Sequence, residues 1–164
     1  MISSNDYTVR RIQPQDNRQI AGVIRTVLEE FGANKPGTVY FDDSTDNLSQ
    51  LFATPKSAYY VAVHQDRVIG GAGIYPTDGL PPGTCELAKM YLVPEARGKG
   101  LGKRLINECL QFAKDQGFEK VYLETMPELR SALIVYEKTG FQYLPGPLGN
   151  SGHFGCSLWM LRDL

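Results

Sequence analysis

The sequence predicts an α+β fold (α/β mixed): a central sheet of seven strands, mixed in direction, with about four helices on both faces, in a single domain spanning 1–164. Three observations carry this. Apolar residues recur at helical spacing in long segments. Shorter runs rich in Val, Ile, Tyr and Leu read as strands. Turn residues separate the two kinds in the order β-α-α-β-β-β-α-β-α-β-β, and a chain of 164 residues suits one core.

Thr8 to Ile12 reads as the first strand and Asp16 as an N-cap. Ile20, Val23, Ile24, Val27, Leu28 and Phe31 then follow one helical face, which Gly32 ends. Residues 32 to 46 read as a polar loop, and a short helix from about Asp46 to Ala53 stops before Pro55. Ala58 to His64 and Arg67 to Tyr75 flank a Gln65-Asp66 hairpin turn, and Thr84 to Val93 is a strand closed by Pro94. Leu101, Leu105, Ile106, Cys109, Leu110, Phe112 and Ala113 mark a helix that Gly117 stops. Lys120 to Thr125 reads as a strand and Glu128 to Lys138 as a helix. Phe141 to Leu144 and Phe154 to Leu161 complete the set as strands.

Composition excludes several classes. Net charge is −1, so no general basic field exists for nucleic acid or an anionic membrane surface. No apolar run reaches the ~18 residues of a membrane helix. The N-terminus, Met1 to Tyr7, has neither the basic nor the apolar region of a leader. Cys85, Cys109 and Cys156 fit neither a disulfide framework nor a zinc site, so no metal is expected and a cytoplasmic setting is the simplest reading.

The stretch Arg97-Gly98-Lys99-Gly100-Leu101-Gly102 lies between a strand and a helix. Glycines there let a ligand rest on the main chain. The free N–H groups and positive dipole of the helix start suit phosphate or pyrophosphate. Lys103 and Arg104 add positive charge. A dinucleotide fingerprint would need Gly at position 103, and no Walker string occurs; the pattern is R-x-x-G-x-G.

The run Glu86-Leu-Ala-Lys-Met-Tyr-Leu-Val-Pro-Glu-Ala-Arg-Gly-Lys-Gly-Leu-Gly-Lys-Arg-Leu105 resembles the acetyl-CoA-binding motif of the GNAT N-acetyltransferase superfamily. Ala132-Leu-Ile-Val-Tyr136-Glu-Lys-Thr-Gly-Phe141 resembles that family's second motif. The resemblance implies the GNAT acyl-CoA N-acyltransferase fold with a mostly antiparallel sheet, acetyl-CoA as cosubstrate, and a small-molecule or peptide amine as acceptor. Homodimers are common in the family, which leaves a homodimer open. It also implies that Leu92 and Val93 contact the pantetheine arm through their backbone, and that Arg97, Gly98, Lys99, Gly100, Leu101, Gly102 and Lys103 hold the phosphates. The chain departs from the family at Leu129, where many members carry a cofactor-contacting Asn.

Acylating an amine of pKa ~10 requires a base at neutral pH. Glu86 is the candidate, on a strand whose two faces, Ala88, Met90 and Leu92 against Leu87, Tyr91 and Val93, are apolar enough to raise a carboxyl pKa. Its position eleven residues before Arg97 matches the glutamate base of histone-acetylating relatives. A wet strand end or a pair with Lys89 is the structural alternative. Tyr136 is the candidate acid for the departing thiolate, with core packing as its alternative, and backbone N–H groups near Met90–Leu92 are candidates to polarise the thioester carbonyl. Phe31, Tyr40, Asp42, Asp43 and His153 are candidates for the acceptor site, with Asp42 and Asp43 set to hold a cationic amine. Cys156 reads as a small buried thiol. A non-catalytic CoA-binding or sensing module and a regulator binding another pyrophosphate are the rival classes.

Overall fold

The computed structural model describes residues 6–164; the absence of a leader pattern in Met1–Asn5 therefore lies outside the described residues. One seven-stranded sheet forms the centre. Its strands are β1 (Thr8–Arg11), β2 (Ala58–His64), β3 (Arg67–Tyr75), β4 (Thr84–Leu92), β5 (Lys120–Thr125), β6 (Gln142–Leu144) and β7 (Leu158–Asp163). They lie in the order β1-β2-β3-β4-β5-β7-β6, and every pairing is antiparallel except β4 with β5.

Helices α1 (Asn17–Glu30) and α3 (Leu101–Asp115) pack on β3 and β4. Their stripes, Ile20, Ile24 and Leu28 in one and Leu105, Ile106 and Cys109 in the other, are completely buried. The short α2 (Leu48–Leu51) and α4 (Arg130–Lys138) complete the helices. Helices cover both faces: Arg11 stacks between Tyr60 and Phe112 of α3, whereas Tyr59, one residue earlier in β2, packs on Phe52 just after α2. The Gln65-Asp66 turn has both residues at positive φ, as a two-residue hairpin requires.

Several boundaries differ from the sequence expectation. Residues 32–46 are more than a loop, since Val39–Phe41 and Asp43–Asn47 form 3₁₀ turns that feed directly into α2. The last strand begins at Leu158 rather than Phe154, because Gly152 and Gly155 hold the preceding residues in turns. Helix α4 starts at Arg130, two residues later than expected. Asp16 does precede α1, but its carboxylate bonds Arg10 and the Gln13 N–H instead of capping the helix.

The departure that matters most lies in β4. The simple alternation of faces fails at Lys89, which sits at φ +56°, and the β3–β4 register skips between Gly71 and Gly73. This is a bulge, one extra residue that bends and twists the strand. β4 pairs with β5 only over Thr84–Glu86. Beyond Glu86 the two strands part, and a cleft opens between them.

Candidate functional site

Two cavities occupy the parting of β4 and β5. The outer one, about 480 Å³, runs from the glycine loop between Phe31 and α4 down to Met90, Tyr91 and Leu129. The inner one, about 400 Å³, contains Glu86, Lys89, Glu124, Tyr136 and His153. Both are bounded by Met90, Tyr91 and Leu129, so they meet at the bulge.

The outer cavity has a glycine-lined, positively flanked mouth and apolar inner walls. Gly98 and Gly100 have φ of +75° and +79°, and a Cβ on either would meet nothing within 4 Å, leaving the backbone bare. Gly102 answers a different need: a Cβ there would lie 3.2 Å from Met90 Cε, so its absence lets α3 sit close against β4. With the start of α3 directly behind them, these glycines present N–H groups and the positive end of the helix dipole to the cavity. Lys103 and Lys138 stand beside it. The walls farther in, Leu92, Ala132 and Val135, are apolar, as an alkyl-amide arm needs.

Other cofactor-site expectations are placed differently. The Arg97 guanidinium binds Glu30 at 2.7 and 2.9 Å and the Leu92 carbonyl at 3.0 Å, and it stacks over Phe31. It thus braces the channel wall. The Val93 N–H donates to the Ile69 carbonyl at 3.0 Å, and the Leu101 side chain lies in the core. Lys99 Nζ turns back to the Glu95 carbonyl.

The inner cavity gathers charge. Glu86, in β4, is only 6% exposed and accepts a hydrogen bond from Thr77. Burial pushes its carboxyl up to about 7; Thr77 pulls the other way, and nearby Glu124 adds to the rise. His153 places Nε2 2.7 Å from Asp42 and Nδ1 3.7 Å from Glu124. Burial opposes charge on the ring, but the two carboxylates outweigh it and raise the pKa to about 9. Lys89 Nζ, carried inward by the bulge, lies 3.0 Å from Asp42. Burial would raise Asp42, but His153 and Lys89 hold it below the usual carboxylate range. Glu124 is likewise lowered against its burial by His153, Ser151 and Tyr122.

Tyr136 is fully inside, and burial raises its phenol pKa. Its side chain lines the inner cavity. Cys156 lines the same cavity, and burial together with Glu124, Glu86 and Asp42 pushes its thiol up to about 12. It is therefore neutral at ordinary pH and a poor nucleophile.

Of the acceptor-site expectations, Asp42, Asp43 and His153 converge on the inner cavity. Asp42 is already occupied by two cations, while Asp43 stands exposed at the rim. Phe31 belongs to the outer cavity, and Tyr40 turns its hydroxyl to Glu29 at 2.6 Å. Sequence reasoning missed Lys89 as a cavity residue, Glu124 and Thr77. Glu124 shares a face of β5 with Tyr122, an acid in a largely buried strand, and that was the available signal. Glu86, Glu124 and His153 place ligand-type atoms within 4.8 Å of one another, but His153 and Glu124 already neutralise each other there.

An antiparallel sheet opened at one parallel pairing, with a glycine-floored channel entering the gap, is the layout of an acyltransferase. The model of the acetyltransferase (GNAT) family matches residues 20–141, and the chain belongs to that family; it is an acyltransferase of the N-acetyltransferase kind. It is 42% identical to YjgM of Escherichia coli (strain K12), called an uncharacterized N-acetyltransferase, over 99% of this chain and 98% of that one. Human N-acetyltransferase 8 is 33% identical over 68% of this chain and 52% of its own length. Among solved structures, an acetyltransferase from Streptococcus agalactiae shares the fold with a TM-score of 0.83 at 17% identity, covering 98% of this chain and 99% of that one. The PaiA N-acetyltransferase from Thermoplasma acidophilum, in complex with coenzyme A, has a TM-score of 0.74 at 17% identity, covering 96% and 99%.

Proposed function

We propose that this protein moves an acetyl group from acetyl-CoA to a primary amine of a small molecule or peptide by direct attack. The observation that carries this is the meeting of the two cavities at Met90, Tyr91 and Leu129, with Glu86 and Tyr136 in the wall of the inner one. Acetyl-CoA supplies an activated acyl group and a thiol leaving group. The backbone amides of Gly98 to Lys103 hold its pyrophosphate, and Leu92, Ala132 and Val135 flank its arm. Leu129 fills the place where many relatives use Asn, so packing replaces a polar contact at the channel's inner end.

In this reading Glu86 takes a proton from the ammonium or the attacking amine, directly or through water. A carboxyl near 7 is suited to that, being half ionised where the amine must be deprotonated. The Met90 N–H polarises the thioester carbonyl. Tyr136 donates its proton to the departing sulfur.

Carboxyl groups outnumber cations in the inner cavity, which favours an acceptor that arrives as a cation. Because Asp42 is spent on Lys89 and His153, Asp43 and the nearby Asp78 are the acids available to receive it. The test is release of free CoA thiol from acetyl-CoA across a panel of diamines, amino sugars, amino acids and peptides. Amine-dependent release supports the reading, whereas CoA binding without release for every amine points to a sensing module.

A further inference from the structure

β3 reads Gly70-Gly71-Ala72-Gly73 in the middle of the sheet, where glycine weakens a strand and marks a close approach. The approaching group is Tyr59. A Cβ on Gly71 would fall 2.5 Å from its Cε1, and one on Gly73 would fall 2.6 Å from its Cδ2. The ring therefore lies flat across β3 and reaches β4. There its hydroxyl donates to the Lys89 carbonyl at 2.7 Å, in a fully buried setting. Lys89 is the bulge residue at φ +56°.

That carbonyl belongs to the Lys89–Met90 peptide. In a planar trans peptide the C=O and the following N–H point in opposite directions. Holding the carbonyl toward Tyr59 therefore holds the Met90 N–H away from it. Met90 lines both cavities where they join. We infer that Tyr59 is a positioning residue, whose hydroxyl fixes the Lys89–Met90 peptide so that the Met90 N–H is aimed at the thioester carbonyl. This rests on the acetyl-CoA reading above. It also accounts for Gly71 and Gly73, two glycines that the phosphate site does not require.

The experiment is isotope-edited infrared spectroscopy of acetyl-CoA labelled with ¹³C at the thioester carbonyl. It is bound to the wild-type protein, to Tyr59→Phe, and to Tyr60→Phe as a control on the opposite face. Tyr59→Phe keeps the ring over the glycines and removes one hydrogen bond. The wild type and Tyr60→Phe are expected to show the carbonyl stretch below that of free acetyl-CoA. Tyr59→Phe should return it toward the free value and lower kcat about tenfold, with CoA affinity held within about twofold. A stretch in Tyr59→Phe equal to the wild type overturns the inference, even if the variant is less stable. A wild-type stretch that matches free acetyl-CoA removes the Met90 polarisation and the role of Tyr59 together. Failure of the wild type to bind acetyl-CoA overturns the donor reading itself.

Discussion

His153 Nε2 lies 2.7 Å from Oδ2 of Asp42, the same oxygen that receives Lys89 Nζ at 3.0 Å. One carboxylate thus joins the 3₁₀ turns before α2, the β4 bulge and the loop before β7. Replacing it with a neutral amide leaves two buried cations short of a partner. Asp42→Asn is expected to lower unfolding free energy by about 2 kcal/mol, less than the ~3–5 of a fully buried broken pair because solvent reaches the Asp42 side chain. Urea denaturation at neutral pH measures it, and a loss below about 0.5 kcal/mol would show that water already screens the pair. Asp43→Asn should leave stability unchanged and raise the acceptor KM.

The same cluster sets a pH dependence of stability. His153 has its folded pKa raised from 6.5 to about 9. Its contribution is therefore complete below about 6.5 and lost as pH rises through 9. Glu86 is raised from 4.5 to about 7, so it too costs stability on ionising, in the lower window. Melting temperature should fall across both windows in the wild type. His153→Gln should remove the upper fall and Glu86→Gln the lower one. An upper fall that survives in His153→Gln would place the titration elsewhere.

Activity should follow Glu86 in the opposite sense, since a base works only when ionised. The wild-type kcat/KM is expected to rise with pH through about 7. Glu86→Gln should reduce it by about 10²–10⁴ near neutrality. The deficit should shrink at high pH, where amines of pKa ~10 lose their own proton. A constant deficit from pH 6 to 10 would mean that Glu86 positions the acceptor and does not move a proton.

The glycine loop was legible in the sequence because its requirements are local. Positive φ at Gly98 and Gly100 and the period of α3 each depend on residues a few positions apart. Glu86 and Tyr136 were candidates through the spacing of two motifs, and both line the inner cavity. The network that joins them was not. Alternation put Lys89 on one face with Leu87 and Tyr91, and a single bulge residue reset that register. Lys89 consequently pairs with Asp42, far away in sequence, and leaves Glu86 to its burial. Tyr40 failed for a similar reason. Its 3₁₀ turn points the hydroxyl back to Glu29 on α1, which no pattern within residues 32–46 encodes.

Gly100 should be the most exacting glycine of the loop. An alanine at φ +79° adds strain of about 1–2 kcal/mol and puts a methyl group on the channel floor. Gly117→Ala, at φ +87° beyond the other end of α3, carries the same strain away from the channel. Both should lose similar stability, but only Gly100→Ala should weaken CoA binding, by about tenfold, because its methyl group stands on the channel floor. Calorimetric titration separates them, and equal CoA affinities would detach the loop from the phosphates.

Tyr136 supplies the test of the leaving-group step. It lines the inner cavity, and burial raises its pKa, so it is a phenol at neutral pH. A weak acid helps only when a stronger base appears beside it, as a departing thiolate does. Tyr136→Phe preserves the edge contact with Phe141 and should change stability by less than about 1 kcal/mol. The rate should fall by about 10²-fold, with CoA affinity and acceptor KM nearly constant. The loss should be smaller for acyl donors whose leaving thiol has a lower pKa, because such a thiolate departs without protonation. Cys156→Ala offers the contrast: its thiol, pushed up to about 12, stays neutral, so turnover should persist in that variant. A Tyr136→Phe enzyme equally slow with good and poor leaving groups would assign the tyrosine to packing.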